Sequence, residues 1–455
     1  MGKYFGTDGV RGKANEYLTP ELAMAIGRAG AYALAGHLGR PPKILIGADT
    51  RLSADMLEAA LVAGLCAVGA EVHRAGVVPS PAMAFLVRDL KMDAGVMLSA
   101  SHNPMPDNGI KFFDGTGYKL SDAVEAEIEA LIDLIYENAD KIPRPVGEAV
   151  GRAVLCDRPV ERYVAFLTNT VEGKLPFAGM KVALDCANGA TYQAAPMAFK
   201  KLGAKIIPMH YQPDGVNINA NCGSTHLESL RAYVKANPVD IGLAFDGDGD
   251  RVLCVDETGA IIDGDVIMAI CGLALEKQGR LKHSTIAATV MSNLGLELFC
   301  RDNGLKLLRT RVGDRYVIQE MKAEDYNLGG EQSGHIIFHD YNTTGDGVLT
   351  GLQLLAILKE SGQKLSELCK VIEIMPQVLL GAELGSRMSE DEIKQNEKIG
   401  HAIRKLEAAM QGSGRVLVRP SGTEPLVRVM IEGSDQSVIQ QQAAELVRII
   451  EKELK

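Results

Sequence analysis

The chain has 455 residues, 46% of them hydrophobic, and a formal net charge of −10. That length suits three or four domains, while the acidic balance, the lack of basic clusters and the lack of any apolar run of membrane-spanning length exclude nucleic acid and the bilayer as partners. The eight cysteines are scattered with no C-x-x-C pair, so they are expected as reduced core residues and not as a zinc site or a disulfide frame.

The opening Met1-Gly2-Lys3-Tyr4-Phe5-Gly6 has neither a signal-peptide core nor a myristoylation pattern, and a cytoplasmic location is expected. Next comes an apolar strand at 43–47, an amphipathic helix at 54–69 and a strand at 70–75. This strand-helix-strand unit predicts a right-handed crossover within a mainly parallel sheet. The apolar run 94–98 then opens into Ser99-Ala100-Ser101-His102-Asn103-Pro104, the strand end where α/β proteins carry chemistry. A Ser-His hydrolase is not supported, because there is no G-x-S-x-G elbow and His102 directly follows Ser101. Two prolines in the polar stretch 143–152 mark a seam, after which a second unit recurs at 181–185, 194–203 and 204–209.

The run 241–245 ends in Asp246-Gly247-Asp248-Gly249-Asp250-Arg251. Two like charges about 4 Å apart repel by roughly 4 kcal/mol at an effective dielectric of about 20, so three carboxylates in one turn call for a cation. Oxygen-only ligands point to a hard ion, Mg2+ or Ca2+. Asp246, Asp248, Asp250 and Glu257 match positions of an EF-hand loop, but Arg251 stands where that loop needs glycine and both flanks read as strands. A solvated acidic turn is the other alternative. The glycines oppose it, since they let the carboxylates converge. After a seam at 256–259, a third unit follows at 285–290, 294–304 and 305–309. Gly330-Glu331-Gln332-Ser333-Gly334-His335 leads into the strand 336–338. From about Cys369 the pattern changes to a strand at 416–418, the loop Arg419-Pro420-Ser421-Gly422-Thr423-Glu424-Pro425, a strand at 427–431 and a helix at 435–454, a smaller α+β domain.

The four loops, in this order, resemble the signature loops of the α-D-phosphohexomutases. Lys3-Tyr4-Phe5-Gly6-Thr7-Asp8-Gly9-Val10-Arg11-Gly12, Ala100, Gln332 and Asp185-Cys186-Ala187-Asn188-Gly189-Ala190 point to the bacterial branch that acts on glucosamine phosphates. The resemblance implies three similar α/β domains with mainly parallel sheets and a C-terminal α+β domain around a central cleft. We set the borders at 1–152 (serine loop), 153–255 (metal loop), 256–368 (sugar loop) and 369–455 (phosphate loop).

It implies interconversion of glucosamine 6-phosphate and glucosamine 1-phosphate through a phosphoserine at Ser101, feeding UDP-N-acetylglucosamine synthesis. One Mg2+ would be held by Ser101, Asp246, Asp248 and Asp250, and glucosamine or glucose 1,6-bisphosphate would be intermediate or activator. Arg251 would reach the phosphoryl group. Arg11 with Lys111 on one face, and His335 on another, would handle protons, which for Lys111 requires neighbouring cations to depress its pKa. An ordinary surface lysine is the alternative for Lys111. Glu331 and Ser333 would take vicinal sugar hydroxyls; Arg419, Ser421, Gly422, Thr423 and Arg428 would hold the non-reacting phosphate. His102 would orient the serine loop and contact substrate, or simply fill space there, and Thr7 and Asp8 are expected to be structural. An activating kinase and a homodimer partner complete the expectation. Glucose or mannose phosphate is the alternative substrate. A haloacid-dehalogenase-like phosphatase, with Asp246 as nucleophile, is disfavoured by Asp250 and by the missing downstream Gly-Asp motif.

Overall fold

The computed structural model describes residues 2–6, 8–384, 390–410, 413–420 and 426–454. Among these residues the strands form four sheets. The first contains β1 (Val10–Lys13), β2 (Lys43–Ala48), β3 (Glu71–Val77), β4 (Ala94–Leu98), β5 (Asp107–Asp114) and β6 (Arg152–Leu155), in the order β1-β5-β4-β2-β3-β6. β4, β2, β3 and β6 are parallel neighbours, whereas β5 turns back antiparallel to β4 and pairs antiparallel with β1.

The second contains β7 (Lys181–Asp185), β8 (Lys205–Met209), β9 (Ile241–Phe245), β10 (Val252–Asp256) and β11 (Ile261–Ile262), in the order β11-β10-β9-β7-β8. The third contains β12 (Thr285–Thr289), β13 (Lys306–Thr310), β14 (Leu328–Gly330) and β15 (Ile336–Phe338), in the order β13-β12-β14-β15. The fourth, wholly antiparallel, contains β16 (Gln377–Glu383), β17 (Arg415–Pro420) and β18 (Leu426–Glu432), in the order β16-β18-β17.

The parallel pairs β2/β3 and β7/β8 flank the helices Ser53–Cys66 and Thr191–Lys201, as the strand-helix-strand pattern predicts. A finer regularity carries the chemistry. In each of the first three sheets one parallel strand turns directly into an antiparallel neighbour: β4 into β5, β9 into β10, β14 into β15. The serine, metal and sugar loops are these three turns, so one architectural position is used three times.

Two expected borders are corrected by backbone pairing. β6 pairs with β3, which carries 153–155 into the first sheet; β10 and β11 carry the second sheet through Ile262, past 255. Taken together, the first three sheets are mixed but mainly parallel, as expected.

The chain gathers into two compact units, Met1–Met291 with Leu308–Lys370, and Ser292–Leu307 with Val371–Lys455. In the first, the helix Pro20–Leu38 packs on Ser53–Cys66 over β2 and β4, with Ile26, Ile44, Leu57, Leu61 and Val96 fully buried. In the second, the helix Gln436–Leu454 covers β16 and β18 through Ile439, Ala443, Leu446 and Ile450. The eight cysteines are free, and none is exposed. Among the described residues, no helix is long and apolar enough to cross a membrane.

Candidate active site

The serine loop is held from beneath. Ser101 is a non-glycine residue with φ 52°, a left-handed conformation costing roughly 1–3 kcal/mol that persists only where its surroundings over-determine it. They do. The buried Arg51 spends all five guanidinium donors here: Nε on Asp49 Oδ2 (2.9 Å), Nη1 on the carbonyls of Pro104 (2.6 Å) and Asp107 (2.9 Å), and Nη2 on those of Ser101 (3.1 Å) and Asn103 (2.7 Å). Asn219 Nδ2 donates to the Ser101 carbonyl at 2.9 Å. Ser101 N donates to Ser99 Oγ (2.9 Å), which donates to Asp49 Oδ2 (2.6 Å). Sequence reasoning missed Asp49, Arg51 and Asn219; the one available signal was Asp49-Thr50-Arg51 at the carboxyl end of a buried strand.

The metal loop meets Ser101 directly. Ser101 Oγ donates to Asp246 Oδ2 at 2.6 Å, and Ser80 Oγ donates to Asp248 Oδ2 at 2.6 Å. Gly247 is required by this approach, since a Cβ there would lie 2.5 Å from the Ser101 carbonyl oxygen, and Gly249 takes φ 75° between the acids. Carboxylate oxygens of Asp246, Asp248 and Asp250 lie within 4.8 Å of one another. Burial, with Asp250 and Asp248 alongside, holds the Asp246 carboxyl well above the usual range. Asp248 Oδ1 and Asp250 Oδ1 are buried without a hydrogen-bond partner. Three converging carboxylates with unsatisfied oxygens fit a hard divalent cation.

A chain of alternating charge links that cluster to the sugar loop. Lys111 Nζ lies 2.9 Å from Asp248 and 3.0 Å from Asp8; Lys119 Nζ lies 2.7 Å from both Asp8 and Asp314; His335 lies 3.6 Å from Asp314 and 3.5 Å from Asp250. Arg11 pairs with Asp8 as well. Asp8, expected to be structural, is therefore the hub of three cations, and Lys119 and Asp314 were not anticipated. The cationic neighbours required to depress Lys111 are outweighed: burial disfavours its ammonium and Arg11 lowers it further, but Asp248, Asp8 and Asp250 together raise its pKa. His335 behaves alike, raised by Asp250 and Asp314 against the effect of burial.

His102 is the opposite case, with burial, Arg251 and Arg11 lowering it to about 4. Its Nδ1 lies 3.3 Å from Ser101 Oγ and 3.2 Å from Arg251 Nη1, in position to orient both. Arg251 also donates its backbone N–H to Asp246 Oδ1 at 3.2 Å.

Glu331 and Ser333 lie on the β14–β15 turn, with Ser333 Oγ 3.4 Å from Glu331 Oε2. Of the residues that suggested the amino sugar, Ala100 is fully buried, and the half-buried Gln332 donates to Asp263 Oδ2 at 3.2 Å. Arg419 and Arg428 belong to the second compact unit, where they are directly opposed on β17 and β18. Burial and the Arg428 charge lower the Arg419 pKa, so an anion would relieve the pair. Thr7, Ser421, Gly422 and Thr423 lie outside the described residues.

Four family models match in order: phosphoglucomutase/phosphomannomutase alpha/beta/alpha domain I at residues 2–139, domain II at 161–259, domain III at 263–375 and the C-terminal domain at 383–449. The phosphoglucosamine mutase of Acetivibrio thermocellus is 54% identical over 454 residues, covering 100% of both chains. A phosphoglucomutase/phosphomannomutase family protein from Burkholderia thailandensis superposes with a TM-score of 0.80 at 24% identity, over 99% of this chain and 98% of that one. An Aspergillus fumigatus N-acetylphosphoglucosamine mutase, solved with GlcNAc-6P and magnesium, does so with a TM-score of 0.71 at 18% identity, over 99% and 96%. The chain belongs to the phosphoglucomutase/phosphomannomutase family, among its bacterial phosphoglucosamine mutases.

Proposed function

We propose that this chain interconverts glucosamine 6-phosphate and glucosamine 1-phosphate, with Ser101 carrying the phosphoryl group and a sugar 1,6-bisphosphate as the bound intermediate. The observation that carries the reading is Ser101 Oγ, 2.6 Å from Asp246 within a cluster of three buried carboxylates. A serine so placed has its phosphate beside a cation site. Mg2+ held by Asp246, Asp248, Asp250 and a phosphoserine oxygen would supply neutralisation of charge on the transferring group.

The protein's own groups do the rest. As the sugar hydroxyl oxygen bonds to phosphorus, the bond from phosphorus to Ser101 Oγ breaks, and the hydroxyl proton passes to a base. The bisphosphate then turns over, the second phosphoryl group returns to Ser101 Oγ, and the released sugar oxygen regains a proton. His335, with its Nδ1 3.5 Å from Asp250 Oδ2, is the base in one direction and the acid in the other. Lys111 and Arg11 enter as charged donors to phosphoryl oxygens and the leaving oxygen, with Arg251 beside them. Glu331 and Ser333 take sugar hydroxyls, and Arg419 and Arg428 bind a phosphate dianion. His102, neutral at physiological pH, orients Ser101 and Arg251.

Competition assays from the 6-phosphates test the substrate. A higher kcat/KM for glucosamine phosphate than for glucose and mannose phosphates is expected, with slow side activity on at least one of them. Equal or better turnover of glucose or mannose phosphate would reject the amino-sugar assignment.

A further inference from the structure

The active site leaves one group of metal-ligating side chains unused. Asp185 ends β7, His210 directly follows the neighbouring β8, and Cys222 lies in the connection toward the helix Glu228–Ala236; one ligand atom from each lies within 4.8 Å of the others. Asp185 Oδ2 is 3.0 Å from His210 Nδ1. Tetrahedral zinc with bonds of about 2.0 Å to nitrogen and oxygen separates its ligands by about 3.3 Å, a spacing this pair already approaches. Asp185 and Cys222 are fully buried, while the His210 side chain keeps 30% exposure, an entry path for an ion. The carboxylate is fixed from behind, Oδ1 accepting from Ala187 N at 2.9 Å and Oδ2 from Gly223 N at 3.0 Å, the outer hydrogen bonding that metal-ligating carboxylates have.

We propose that Asp185, His210 and Cys222 form a second metal site, for a zinc-type borderline cation, with three protein ligands and an open fourth position. The donor set sets it apart from the all-oxygen cluster at Asp246, Asp248 and Asp250: thiolate and imidazole select d-block cations, and carboxylates alone select hard ones. Loading forms a bond from Cys222 Sγ to the metal as the thiol proton leaves to solvent, so affinity rises with pH. The expectation of no zinc site rested on local cysteine spacing; these ligands come from three separate elements.

The site would brace both reactive loops. Ala190 N donates to the Gly247 carbonyl at 2.8 Å, and Asn219 N to the Ala187 carbonyl at 2.9 Å, so the turn after Asp185 touches the metal loop and the residue that holds the Ser101 carbonyl.

Titration of the chelator-treated full-length chain with Co2+ tests the site. One equivalent should produce a thiolate-to-cobalt charge-transfer band that Zn2+ abolishes, and Cys222→Ser should lose the band while keeping its circular dichroism. Co2+ bound at the aspartate cluster gives no such band. His210→Ala provides a second route if Cys222→Ser folds poorly: it should weaken Co2+ binding at the thiolate by roughly tenfold or more. No thiolate band at saturating Co2+, a band that survives Cys222→Ser, or unchanged affinity in His210→Ala overturns the site and leaves Asp185 and His210 as a hydrogen-bonded pair.

Discussion

Ser101 is aimed by neighbours that carry no reacting group. Its left-handed backbone, the fork of Arg51 on four loop carbonyls and the relay from Ser101 N through Ser99 Oγ to Asp49 over-determine one conformation. On sequence alone, alternation lets Ser99 and Ser101 share a face, which makes Ser99→Ala the control for a misassigned carrier. The structure makes it a positioning change instead, leaving the Ser101 N–H without its partner at a cost of about 1–3 kcal/mol. Ser99→Ala should therefore lower kcat by roughly tenfold with KM little changed, and Arg51→Lys, which keeps the charge but loses the fork, should lower it further. Steady-state kinetics beside thermal melts check this, and wild-type kcat in Ser99→Ala would remove the relay from catalysis. Ser101 and the three aspartates were legible because they stand in compact motifs at strand ends. Arg51 was not, because its partners are backbone carbonyls, which leave no trace in side-chain patterning.

At the scale of elements, three turns from a parallel strand into an antiparallel one deliver the serine, metal and sugar loops. The sequence revealed the parallel pairs through their crossover helices, but not the hairpins. Residues 252–255 are apolar on both faces, and 110–113 are so apart from Lys111, so their pattern does not separate antiparallel from parallel strands. A related junction lies at Asp346, which caps the helix Gly347–Ser361 by accepting from Leu349 N (2.9 Å) and also accepts from the Tyr163 hydroxyl (2.8 Å). Burial pushes its carboxyl up to about 6. Since an unfolded aspartate titrates near 4, the contribution of this group to stability is fully present below about pH 4 and is lost as pH rises through about 6, on the order of 3 kcal/mol. Asp346→Asn keeps a capping oxygen and removes the titration. Thermal melts from pH 4 to 8 should show the variant gaining on the wild type as pH rises, whereas parallel curves would place the proton elsewhere.

At the scale of the whole molecule, the count of three α/β domains and a distinct fourth was readable from three repeated strand-helix-strand units and a change of pattern near Cys369. The borders were less readable, because β6 and β11 join their sheets across stretches that look like linkers. Arg419 and Arg428 are directly opposed on β17 and β18, an arrangement suited to a phosphate dianion. Arg428→Ala should then raise KM and also lower kcat, because binding energy used to exclude water is lost along with affinity; an unchanged KM for the sugar phosphate would detach the pair from the reaction. The central claim is that Ser101 carries the phosphoryl group, and one labelling experiment addresses it. Enzyme loaded with Mg2+ is incubated with glucose 1,6-bisphosphate bearing labelled phosphate, then digested and mapped by peptide mass spectrometry. Label on Ser101 that chases onto added glucosamine 6-phosphate is the expected result. Label on Asp246, or turnover with no covalent label on the protein, would contradict it.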